Sequence, residues 1–160
     1  MNFIIVHRLI EAISTLPNVQ SWLYAAVLSL VYLIIALPIG FQHGFLRFEV
    51  LRVSWKTIIG VLAIAWVTPA FTEELFFRVL LLPRTTEQVS ESELWFWGFV
   101  SLALFIVYHP LNALTLFPQG LETFFNWIFL LLAALLGILC SLTYFYSGSL
   151  WIPVLTYSPA

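Results

Sequence analysis

This chain has 160 residues, 62% of them hydrophobic and only 9% charged, with a formal net charge of −2. A soluble domain carries roughly 25% charged residues, so a mean hydropathy of +1.01 places the chain in a membrane and the near-neutral charge excludes the basic patch that nucleic acid requires. The length suits one domain, 1–160, without internal repeats.

Residues 1–20 are amphipathic, carry Arg8 and Glu11, and lack the cleavage pattern of a signal peptide. They are expected along the membrane surface rather than across it. A span needs about 20 mostly apolar residues, and residues 22–40 are the first, closed by Pro38 and Gly40. The polar segment 42–56 holds His43, Arg47, Glu49, Arg52 and Lys56. By the positive-inside tendency this loop faces the cytoplasm, although Arg8 pulls the other way.

Residues 57–82 form a second, long span in which Pro69 removes a backbone donor and kinks the helix ahead of two glutamates. Residues 83–93 read as an exposed acidic loop, with Ser90 or Ser92 capping the next helix. That helix runs over 94–109, and Pro110 marks a kink or stop. Residues 111–122 read as a loop or broken helix, 126–146 as another span, and 147–149 as a turn. The stretch 150–157 is too short to cross and is expected as a half-span against the bundle. The fold class is all-α: a multi-pass transmembrane bundle with a kinked, motif-bearing helix and a short C-terminal half-span.

Ionisable residues inside an apolar span are functional candidates, and Glu73, Glu74 and Arg78 lie in one of the most apolar stretches of the chain. Glu74 and Arg78 share a helix face at i,i+4 in the favourable acid-before-base order. Glu73 points about 100° away and is left to face another element. A carboxylate in a poorly solvated site suits a general base near neutral pH. A structural ion-pair network fits the same three residues.

His109 ends an apolar helix and is the histidine best placed to reach the glutamates, since His7 and His43 lie in interfacial segments. A glutamate and a histidine can hold and deprotonate a water or supply two ligands to a metal. A histidine at a helix end is also commonly structural. Asn112 falls on nearly the same face if the helix continues past Pro110, where it supplies an oxyanion hydrogen bond or ties up kinked backbone. Cys140, in a Leu/Ala-rich run, reads as a packed core thiol.

Glu73-Glu74-x-x-x-Arg78, Phe105-x-x-x-His109 and Ser149-Leu150-Trp151-x-Pro153 together resemble the CAAX prenyl endopeptidase and bacteriocin-processing family of membrane proteins (CPBP, Abi domain), over about residues 60–157. The wording of the last motif looks like that of bacterial members, which implies a bacterial inner membrane. The resemblance implies an intramembrane endopeptidase acting on a hydrophobic or membrane-tethered peptide. Glu73 would activate water, His109 would help hold it, Glu74 would assist, and Arg78 would anchor the glutamate pair. No cofactor is expected; a zinc alternative would draw on Glu73, Glu74 and His109.

The chain departs from the family where the last motif leads into a histidine, with an asparagine or aspartate four residues later. Tyr157 stands at the histidine position, and the sequence ends at Ala160, one residue short of the second. A tyrosine hydroxyl can still donate to an oxyanion, whereas losing one such donor typically costs ~10²–10³ in kcat. Two other readings fit the residues: a catalytically impaired relative acting as a binding or bacteriocin-immunity-type protein, and a proton or cation relay. The resemblance disfavours the relay.

Overall fold

The computed structural model of the protein describes residues 2–48, 53–84 and 86–157; Glu49 and Arg52 of the polar segment lie outside them. Helix α1 spans Asn2–Ser14, α2 Val19–Gln42, α3 Trp55–Leu80, α4 Glu91–Thr115, α5 Leu121–Phe124, α6 Trp127–Ser147 and α7 Trp151–Thr156. Four of them, α2, α3, α4 and α6, are long and apolar enough to cross a membrane. The described residues contain no strand. The protein is thus a multi-pass helical bundle, and large apolar side chains such as Leu23, Val27 and Ile34 of α2 face outward, as lipid-facing positions do.

Two prolines lie inside helices: Pro38, near the expected close of the first span, and Pro110, expected as a kink or stop. α2 runs through Pro38 to Gln42, and α4 runs through Pro110 to Thr115. In hydrocarbon, ending the helix would strand several backbone groups, whereas carrying a proline through it forfeits a single hydrogen bond. Beyond α4 the expected broken stretch is a 3₁₀ turn, Pro118–Gly120, followed by α5. Ser90 is the N-cap of α4, paired with Glu93 in a capping box. Asn126 caps α6.

Pro69 acts differently. α3 is α-helical over Trp55–Ala65, widens into a π-helical stretch at Trp66–Phe71, tightens at Thr72–Glu74, and widens again at Leu75–Leu80. Proline has no N–H for the i−4 carbonyl and its ring collides with that carbonyl. A wider turn relieves both, and such widened turns recur at functional sites. The buried Ser101 hydroxyl of α4 donates to the Phe77 carbonyl at 2.6 Å within the second widened stretch, answering a need that membrane-depth backbone cannot leave unmet.

α6 is the central helix, packing against α2, α4 and α7. At Gly137 a Cβ would stand 3.0 Å from Leu102 and 3.1 Å from Phe105, so glycine permits α4 to approach α6 closely. Gly148 ends α6 at φ 65° and turns the chain into α7, a conformation that glycine adopts without a Cβ penalty. The half-span α7 buries Ile152, Pro153 and Val154 against the bundle.

α1 does not merely lie against a surface. Its buried Ala12 joins a cluster with Val79, Leu82, Tyr144, Leu150 and Val154. Its C-terminal carbonyls are taken up by the last motif: Leu150 N–H donates to Ala12 O at 3.0 Å, Trp151 Nε1–H to Ile13 O at 2.7 Å, and Ser149 Oγ–H to Thr15 O at 2.7 Å. The 83–93 segment is also not wholly exposed, because Leu82, Pro83 and Arg84 are buried at its start. Arg84 pairs with Glu11 there, and Arg8 pairs with Glu87.

Candidate active site

The short α-helical turn between the two widened stretches of α3 carries both glutamates inward. Glu73 is 8% exposed, and Glu74 and Arg78 are 0% exposed. Arg78 Nε lies 3.1 Å from Glu74 Oε2, so the i,i+4 pair read from the sequence is present. The contact lacks the angle of a directed hydrogen bond, and the outer guanidinium nitrogens make none among the described residues. The guanidinium carbon instead sits 5.0 Å from the centroid of the Phe105 ring, a cation–π contact whose attraction grows in a dry site. Burying two charges is expensive, and removing one partner would leave the other uncompensated. Glu74 is therefore committed to Arg78.

Glu73 has a different partner. Tyr157, the capping residue at the end of α7, donates its hydroxyl proton to Glu73 Oε2 at 2.7 Å. Oε1 of Glu73 makes no hydrogen bond among the described residues. The Tyr157 ring packs against a buried cluster of Phe77, Phe105 and Ala133, with Tyr108 and Phe129 beside it. The last motif thus reaches the first through its tyrosine.

His109 is 4% exposed. Its Nδ1 lies 2.8 Å from the Phe105 carbonyl, an acceptor, so Nδ1 carries the proton and Nε2 the lone pair. Rings enclose it: Phe105, Phe129 and Phe124 have centroids at 4.8, 5.2 and 5.5 Å, all nearly edge-on. Phe105 therefore serves both motifs, with its ring against Arg78 and its carbonyl and ring against His109. His109 makes no hydrogen bond to either glutamate among the described residues. Asn112 lies on the continued helix, half-buried, and its main-chain carbonyl accepts from Leu116 and Phe117.

No group of three or more His, Cys, Asp or Glu side chains that could hold a metal ion occurs among the described residues. Of the set Glu73, Glu74 and His109, Glu74 is held by Arg78, while His109 gives its Nδ1–H to a carbonyl and keeps the Nε2 lone pair. The commitment of Glu74 to Arg78 leaves Glu73 and His109 as two ligands where a catalytic zinc takes three from the protein. Cys140 is buried, with its Sγ 4.0 Å from the Pro153 carbonyl.

Sequence reasoning missed Ser101, Arg84 and Glu11. Ser101 carried a faint signal as the one hydroxyl in an apolar stretch of α4. The pairing of Arg84 with Glu11 had none, because 73 positions separate the two residues and one lies in what reads as a loop.

No curated protein and no solved structure matches this chain. A family model described as "Type II CAAX prenyl endopeptidase Rce1-like" matches residues 54–158, which take in all three motifs and Tyr157. With its spans and buried glutamates, this chain belongs to the Rce1-like family of type II CAAX prenyl endopeptidases, a family of membrane proteases.

Proposed function

We propose that the protein is an intramembrane endopeptidase that cleaves a hydrophobic or membrane-tethered peptide with Glu73 as general base. The observation that carries this is the unequal treatment of two adjacent carboxylates. Glu74 is locked to Arg78, whereas Glu73 is held through Oε2 alone by Tyr157. Oε1 then takes a proton from water as the water oxygen attacks the scissile carbonyl, whose electron pair moves onto its own oxygen. Collapse of that intermediate expels the amine, which leaves with the proton from Glu73. His109, with its lone pair on Nε2, accepts a hydrogen bond from the attacking water and holds its orientation.

Tyr157 has two parts in this reading. It fixes the Glu73 carboxylate in one orientation before attack. When Glu73 accepts its proton, the charge-assisted bond from Tyr157 weakens, and the hydroxyl is free to donate to the carbonyl oxygen that has gained charge. Arg78 and Glu74 keep the turn rigid beneath it.

The test is cleavage of a membrane-tethered peptide by the purified protein in proteoliposomes. Glu73→Gln keeps the shape and removes the basicity, so it is expected to abolish cleavage without unfolding the protein. Cleavage retained by that variant would sink the assignment. A second reading, a catalytically impaired binding or immunity-type relative, is favoured by the tyrosine that occupies a Glu73 oxygen in place of the family's histidine. It predicts no cleavage by the wild type, and cleavage gained on Tyr157→His would support it.

A further inference from the structure

Arg84 stands four residues beyond the end of α3 and is 6% exposed. Its Nη1 lies 2.8 Å from Glu11 Oε2 of α1, and its Nη2 donates to the Gly148 carbonyl at 3.2 Å, in the turn that opens α7. From that turn, Ser149, Leu150 and Trp151 engage the end of α1 through three hydrogen bonds. Six residues on, Tyr157 returns to α3 at Glu73. The contacts close a ring: α3 to Arg84, Arg84 to the α6–α7 turn, α7 to Tyr157, and Tyr157 to α3. Glu11 of α1 neutralises the buried guanidinium, and α1 lies outside the matched residues 54–158.

We infer that Arg84, held by Glu11, is a positioning residue that fixes α7 and thereby sets the Tyr157 hydroxyl on Glu73, so that α1 is part of the catalytic unit. Arg84 touches no reacting atom. It acts because α7 is only six residues long, so that whatever holds the turn at its start also sets where Tyr157 falls, while a displacement of about 1 Å at a reacting group can lower the rate ~10²-fold. This rests on the proposed role of Glu73.

The experiment compares full-length Arg84→Gln, Arg84→Lys and Glu11→Gln with the wild type in proteoliposomes, reading kcat and KM for a membrane-tethered peptide and hydrogen–deuterium exchange of residues 147–157. Arg84→Gln is expected to lower kcat on the order of 10–10²-fold with KM nearly unchanged. It should also speed exchange at the Leu150 and Tyr157 amides while the 19–42 segment keeps its wild-type rate. Arg84→Lys should restore part of kcat. If Arg84→Gln fails to fold, Glu11→Gln, which alters a half-exposed partner, carries the test with a smaller change in the same direction.

Wild-type kcat in both charge-removing variants overturns the inference, as does unchanged exchange over 147–157. Faster exchange with unchanged kcat overturns the positioning role while leaving Glu73 as base. If the wild type cleaves nothing, the proposed function falls, and the exchange rates alone decide whether Arg84 fixes α7.

Discussion

Tyr157 and Glu73, 84 positions apart, are joined by a 2.7 Å hydrogen bond from the phenol to Oε2 of the carboxylate. The contact links the last motif of the chain to the first and ties the ring's packing cluster to the candidate base. Replacing Tyr157 with phenylalanine keeps the ring among Phe77, Phe105 and Phe129 and removes only the donor. Tyr157→Phe is expected to lower kcat by ~10²-fold with an unchanged thermal midpoint in detergent. A rise in rate would instead identify the hydroxyl as an obstruction.

The Glu74–Arg78 pair predicts a stability effect. Arg78→Ala leaves a fully buried carboxylate without its countercharge, which should cost about 3–5 kcal/mol and lower the thermal midpoint. The double variant Arg78→Met with Glu74→Leu removes both charges and should recover much of that loss. A thermal midpoint unmoved by Arg78→Ala would contradict the pairing.

Metal removal gives an independent check. With Glu74 committed to Arg78, peptidase activity is expected to survive exhaustive chelation at its full rate. Activity lost on chelation and restored by zinc alone would overturn the metal-free mechanism.

Gly148 supplies a fourth prediction. Its φ of 65° is unfavourable for any residue with a Cβ, and that Cβ would stand 3.2 Å from Arg84 Nη2. Gly148→Ala should destabilise the protein by about 1–2 kcal/mol, read as a lower thermal midpoint. It should also loosen the α6–α7 turn in hydrogen exchange. An unchanged midpoint would mean that the turn tolerates the strain.

The spans were legible from apolar length alone, because the bilayer imposes that length directly. Their ends were not, since Pro38 and Pro110 obey a rule for helices in water that hydrocarbon outweighs. Glu74–Arg78 was legible because helix geometry makes i,i+4 neighbours meet. His109 was legible as the histidine nearest the glutamates, whereas the bond from its Nδ1–H to the Phe105 carbonyl one turn back was not anticipated. Tyr157 was named as a donor, yet its acceptor depends on how α7 folds back, which no local pattern encodes. The burial of Arg84 follows from α1, whose docking depends on residues more than 130 positions later.

That docking has a consequence for how the chain comes into being. α1 emerges from the ribosome first, but Ala12, Ile13 and Thr15 find their donors only when residues 149–151 arrive. Glu73 likewise waits for Tyr157. Contacts of such long sequence separation close late, so a nascent chain halted after α6 would hold its spans in place with neither the helix end nor the carboxylate engaged. Assembly order itself would keep the proposed hydrolytic centre idle in the membrane until α7 is in place.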